Sequence, residues 1–361
     1  MLIMGCDKLN LSRLHIDSLY GFCFVLVSLY SFYFYGISVL TILGLISLIF
    51  LRLAVGREMY FRDFSVLFPF LFVFLYSVFG VVFFSVDFDY KRIAGFSLLL
   101  LMLFFLSCVR GEFSAKKSIS LFLSVHVFFF LIQFVAYYMA GIYVDYFSFI
   151  GLESRNFGGS FSLPFFSGFM RASGLFNEPG TYACFMAPMI SIFYRYVDSR
   201  KDYFVFTLAL FTLILSFSTF GLLFFVLIVF FLVSSLIIKT ISVFLICFLG
   251  FPYFYWKYFS SLSNMTNVEG FLWGRGGFNS EGFAFSQGGA DNDSGLFFYV
   301  LQNFGGFSFV FFMVVLLFLL SRTDKPGALA VLILLMSKVS FFSLAFPLYL
   351  FLALRWGKDK F

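Results

Sequence analysis

Apolar runs follow one another along almost the whole of this sequence, broken by short stretches that carry its charge. An α-helix needs about 20 apolar residues to cross a bilayer, and inside hydrocarbon each backbone N–H and C=O must be satisfied within the spanning structure. The pattern therefore predicts an all-α, polytopic integral membrane protein. Of the 361 residues 62% are hydrophobic and 12% charged, and the mean hydropathy is +1.01. Soluble domains carry about 25% charged residues. The length suits roughly 12 transmembrane helices, with a range of about 10–12. It leaves no room for a separate soluble domain, so residues 1–361 read as a single transmembrane domain.

Residues 1–18 read as a charged cytoplasmic cap without the cleavage site of a removed signal peptide. Leu19–Leu51 is too long for one ordinary span, and Gly36 near its middle predicts two short helices meeting at a turn. Further spans are expected at 64–85, 93–109, 118–141, 178–194, 203–217, 220–238, 240–256, 295–320, 327–337 and 339–354. Two connections are far longer than the rest, 142–178 and 257–294. Gly158-Gly159-Ser160 and Pro164 break regular structure in the first. Glu178-Pro179 then opens a helix: proline suits the first turn, where its missing N–H costs nothing, and an acid there favours the helix dipole.

The distribution of basic residues orients this path. Seventeen of the 24 Lys and Arg fall on one side, in the segments around 8–13, 52–62, 110–117, 195–201, 239, 322–325 and 355–360. Seven fall on the other, with Lys338 among them. Basic loops face the cytoplasm, so both termini are expected there and both long loops in the periplasm.

Several function classes find no support. The formal charge of +6 is dispersed over short loops rather than forming one basic face, which argues against nucleic acid as a partner. Cys6, Cys23, Cys108, Cys184 and Cys247 are scattered and read as small buried hydrophobes. His15 and His126 lie too far apart for a metal motif, so no metal is implied, and His126 reads as a packed histidine. There is no GxSxG, which makes a serine nucleophile improbable. Asp291-Asn292-Asp293 fails as a calcium loop, because Leu296 and Gln302 stand where the turn glycine and bidentate acid belong.

The unusual polar chemistry gathers in two stretches, Arg171-Ala172-Ser173-Gly174-Leu175-Phe176-Asn177-Glu178-Pro179-Gly180 and Gly274-Arg275-Gly276-Gly277 running on to Asp291-Asn292-Asp293-Ser294. Charges at a membrane outside the cytoplasmic anchors point to a functional site. The planar fork of an arginine matches phosphate oxygens, and glycines around Arg275 let backbone approach an anion. Helix-end electrostatics for Glu178, loop flexibility for the glycines and helix capping by one of the Asp291-Asn292-Asp293 group are the plainer alternatives.

These features resemble the O-antigen polymerases, within the wider O-antigen ligase and polymerase superfamily. The resemblance lies in the many spans, the two long loops and Arg171-x-x-Gly174-x-x-x-Glu178-Pro179. It continues through Ser216-Phe217-Ser218-Thr219-Phe220-Gly221, the Gly-Arg-Gly-Gly loop and Asp291-Asn292 leading into Phe297–Gly305. It covers the second half of the chain and matches the first half in hydropathy alone. No histidine follows His126, which departs from the ligase branch.

The resemblance implies a fold similar to the C-type glycosyltransferases in the bacterial inner membrane. It implies a reaction that joins undecaprenyl-diphosphate-linked oligosaccharide repeat units at the periplasmic face, in lipopolysaccharide biosynthesis. Donor and acceptor are both lipid-linked, no cofactor or nucleotide sugar is required, and a chain-length regulator is a plausible partner. On this view Arg171 and Arg275 bind the donor diphosphate, and Glu178 or Asp291 orients or deprotonates the acceptor hydroxyl. Arg155, Asn292, Asp293 and Lys338 rank second. The alternatives are an O-antigen ligase or a flippase for a lipid-linked oligosaccharide, the latter favoured by a charge such as Lys338 between spans.

Overall fold

The computed structural model describes residues 13–29, 33–34, 37–55, 58–59, 109–110, 115–148, 161–163, 166–232, 240–241, 296–321, 323–337 and 345–355, with single positions at 71, 75, 97, 100 and 244. The described chain is predominantly α-helical. Its helices are α1 (Arg13–Ser28), α2 (Val39–Val55), α3 (Ala115–Ala140), α4 (Pro179–Phe193), α5 (Arg200–Leu215), α6 (Thr219–Leu232), α7 (Leu296–Leu320), α8 (Lys325–Met336) and α9 (Ala345–Arg355). A 3-10 turn, Tyr194–Tyr196, extends α4. The expected spans at 64–85, 93–109 and 240–256 lie outside the described residues, apart from single helical positions such as 71, 97 and 244.

The division of Leu19–Leu51 falls where Gly36 suggests. Between α1 and α2, β1 (Tyr33–Phe34) pairs antiparallel with β2 (Ile37–Ser38), Tyr33 opposite Ser38, and the two helices pack side by side. At its other end α1 differs from the sequence expectation, because it starts inside the segment read as a cap. Asp17 there is buried, and Lys117 of α3 lies 3.5 Å from its carboxylate. A charge can enter the packed bundle at that point because an opposite charge meets it.

The boundaries of α4 and α7 agree closely with the expected spans 178–194 and 295–320. Asp202 and Ser199 close a capping box at the start of α5, each side chain taking up the other's backbone N–H. Asp324 caps α8, accepting from the Gly327 N–H at 3.1 Å. β3 (Glu58–Met59) pairs with β4 (Val109–Arg110), which joins the chain after α2 to the chain before α3. β5 (Phe161–Leu163) and β6 (Phe166–Phe169) form a hairpin in the first long loop, with Pro164 between the strands.

At the centre stands α4, every side chain of which is buried from Thr181 to Phe193. It packs against α3, α5, α6, α8 and α9. The outer helices turn large apolar side chains outward at helical spacing: Val39, Leu43, Ile46 and Phe50 on α2, Phe128, Ile132, Val135 and Met139 on α3, Phe307, Val310, Val314 and Leu317 on α7. The polar side chains Ser118, His126 and Gln133 of α3 face inward. That is the reverse of a water-soluble bundle, whose outer faces are polar. Among the described residues α3 is the helix long and apolar enough to cross a membrane, with a hydropathy of 2.2; apolar stretches such as Val39–Leu51, Thr219–Leu232 and Gly306–Phe318 are shorter.

Charged contacts collect at one end of the bundle. Lys116 at the start of α3 lies 2.5 Å from Asp198 and 2.7 Å from Asp202. Arg195, just past α4, is nearly fully buried, grips Asp324 through Nε at 2.8 and 2.6 Å, and donates to the carbonyls of Leu352 and Ala353 at 3.1 and 2.7 Å. Those carbonyls belong to the last turn of α9, which has no intrahelical donors left for them. The loops that meet here are the ones that the basic-residue count groups on one side.

Candidate functional site

The first polar stretch lies at the opposite end of the same helices. After β6 the chain runs through Met170, whose carbonyl accepts from the Tyr138 hydroxyl at 3.0 Å. It is then fastened to α3 by Gln133. The Oε1 of that side chain accepts from the N–H groups of Ser173 and Gly174 at 2.8 and 2.9 Å, and its Nε2 donates to the Val144 carbonyl at 2.9 Å. One buried amide thus ties down both ends of the loop 142–178. Gly174 has φ +56, and a Cβ there would stand 3.3 Å from the Phe130 backbone nitrogen, so both the turn and the close approach require glycine.

Phe176 carries the loop into the interior. It is fully buried, its ring 5.0 Å from His126, 5.1 Å from Phe185 and 5.9 Å from Tyr182. Beyond it the Oδ1 of Asn177 is buried and has no hydrogen-bond partner. Glu178 forms the extended N-cap residue of α4 and accepts from the Thr181 hydroxyl at 2.9 Å. Its carboxylate acts on Arg171 through charge: burial pulls the half-buried guanidinium down from its ordinary value, and Glu178 pushes it back up. Charge thus acts between the two residues. Arginine stays protonated in such a setting.

Helix lengths fix the level of Glu178. The 15 residues of α4 rise about 22 Å. The 26 residues of α3 rise about 39 Å. Phe130 stacks on Tyr182 at 4.7 Å, so α3 continues past the start of α4 and stands above it. The Tyr182 hydroxyl donates to Thr212 Oγ1 at 2.7 Å, which sets the α5–α6 turn level with the start of α4. Glu178 therefore stands lower along the bundle than the end of α3, and the Ser216–Thr219 turn lies at the same level. Phe217 takes φ +46 in that turn.

A serine and a histidine do meet in the interior, Ser28 Oγ lying 2.9 Å from His126 Nε2. The Ser28 hydroxyl already donates to the Val25 carbonyl at 2.7 Å, so the imidazole is the donor in this contact and does not activate the serine. Both residues are fully buried, and His126 is packed between Phe122 and Phe176. Among the described residues no three His, Cys, Asp or Glu side chains gather as metal ligands would.

The remaining sequence candidates, Arg155, Arg275, Asp291, Asn292, Asp293 and Lys338, lie outside the described residues. Sequence reasoning missed Gln133. Its signal was available, since it is the lone amide side chain in the apolar run 118–141. Comparison with protein-family models, with curated proteins and with solved structures finds no match to this chain.

Proposed function

We propose that this chain is a polytopic glycosyltransferase of the bacterial inner membrane, of the O-antigen polymerase kind. Its substrates are oligosaccharide repeat units on undecaprenyl diphosphate. The carrying observation is the half-buried Arg171 within electrostatic reach of Glu178, the N-cap residue of α4. A half-buried guanidinium offers donors to a diphosphate, and the helix N-terminus adds partial positive charge. Glu178 brings a carboxylate to the same place. In the reaction the bond from the anomeric carbon to the donor diphosphate breaks, and a glycosidic bond forms to the acceptor hydroxyl. The hydroxyl proton passes to Glu178 or Asp291, and Arg171 with Arg275 offsets the charge that leaves on the diphosphate.

The membrane setting is supported by the outward apolar stripes on α2, α3 and α7. About 12 spans, cytoplasmic termini and periplasmic loops at 142–178 and 257–294 complete the proposal. Thiol-labelling of single cysteines introduced at positions 145 and 198 tests the sidedness. The reading requires 145 to react from the periplasm and 198 from the cytoplasm.

The charges at the start of α4 also favour a second reading. Transporters use helix N-termini within the membrane for anionic substrates. Purified protein incubated with a synthetic polyprenyl-diphosphate repeat unit separates the possibilities. A ladder of longer lipid-linked products supports the polymerase. Transfer to lipid core alone means a ligase, and movement between leaflets without new bonds means a flippase.

A further inference from the structure

We infer that Gln133 is the positioning residue for Arg171 and Glu178, clamping the loop that carries them to α3. The chemistry of the amide is fully engaged: Oε1 takes two consecutive backbone N–H groups, Ser173 and Gly174, and Nε2 gives its hydrogen to Val144. An apolar side chain of equal length would leave the buried N–H groups of Ser173 and Gly174 without this acceptor and the Val144 carbonyl without this donor. Arg171 lies two residues before this clamp and Glu178 four residues after it. The geometry transmits any loosening directly to both charges. Gln133 also joins the start of the 142–178 loop to its end, so a displacement near Val144 reaches the Ser173-Gly174 turn through one side chain. Tyr138, five residues further along α3, also fastens this loop, donating its hydroxyl hydrogen to the Met170 carbonyl.

The claim that the clamped pair binds a diphosphate rests on the proposed function; the clamp itself does not. Two variants and three readouts separate them. Gln133→Leu removes all three bonds, whereas Gln133→Glu keeps an acceptor for both N–H groups. In detergent, Gln133→Leu is expected to speed amide exchange at Ser173 and Gly174 by about tenfold. It is also expected to speed phenylglyoxal modification of Arg171, while amides of α4 and α5 keep their wild-type protection. Gln133→Glu stays near wild type at Ser173 and Gly174. Unchanged exchange and modification in Gln133→Leu, or exchange that rises equally along α4 and α5, overturns the inference. The third readout is affinity for a short-chain polyprenyl diphosphate, expected to weaken about tenfold in Gln133→Leu and to hold in Gln133→Glu. A wild-type protein that binds no diphosphate sinks the functional reading, and the first two readouts still decide on Gln133.

Discussion

Tyr182 on α4 donates its hydroxyl hydrogen to Thr212 on α5 at 2.7 Å, each standing three residues from the end of its own helix. That single contact levels the start of α4 with the end of α5. Glu178 and the Ser216–Thr219 turn, two motifs well separated in the chain, come to share one floor. The taller α3 walls that floor on one side.

Replacing Tyr182 with Phe leaves Thr212 without its donor in a fully buried site. A loss of about 1 kcal/mol is expected. Thermal unfolding in detergent measures it, and activity should fall further than stability if the level of the floor matters for the site.

Gly174→Ala forces a side chain into a left-handed turn against Phe130. The backbone cost alone is about 1–2 kcal/mol, and it falls on the turn that holds Arg171. Amide exchange confined to 170–178 should rise while helix amides keep their protection, and product formation should drop.

Arg171→Ala is expected to lower chain extension by roughly 100-fold, the scale of removing a preorganised electrostatic donor. Arg171→Lys keeps the charge without the planar fork and should fall in between. Glu178→Gln tests the carboxylate at nearly constant shape. Surface polysaccharide of normal length at normal protein levels, in either Arg171→Ala or Glu178→Gln, would remove that residue from the mechanism.

Arg195→Ala unlocks the far end of the bundle, because Asp324 and the last carbonyls of α9 lose their donor together. Asp324 keeps access to water, which moderates the loss to about 2 kcal/mol. Gly327→Ala should be at least as harmful, since its Cβ would meet Arg195, the Ala353 carbonyl and the Asp324 carboxylate at once. Both effects are expected in melting temperature and expression, with substrate affinity unchanged in the protein that folds.

Asp202, in the first turn of α5, gives a pH signature. Burial pushes its carboxyl up, but hydrogen bonds from Lys116 and Ser199 outweigh burial and hold it well below the usual carboxylate range. A depressed value in the folded state means stability that is present above the unfolded value of about 4 and is lost as pH falls toward the folded one. Asp202→Asn should therefore lower the melting temperature at pH 7. The gap to wild type should close progressively below about pH 4.

Much of this architecture was legible in the residues. Pro179 after Glu178 marks the start of α4, and the charge around Arg195–Asp202 marks the break before α5. The capping box at Ser199 and the cap at Asp324 are local signals of the same kind. The start of α1 was not legible, since a buried Asp17 depends on Lys117, a residue of another helix. Nor was the level of Glu178. Sequence places Arg171 and Glu178 in a loop between spans, and helix length together with the Tyr182–Thr212 contact sets Glu178 below the end of α3.

By itself the sequence determined the limits of described helices such as α4 and α7, because those limits follow from local chemistry: prolines, caps, clustered charge and the length of an apolar run. Tertiary structure decided which ends share a height and which side chains hold them. Gln133 binds the backbone 40 residues away, and Arg195 binds Asp324 across 129 residues. No periodicity encodes such partners. They arise when packed helices bring a lone polar group against one it can satisfy, at a depth where leaving it unsatisfied is costly.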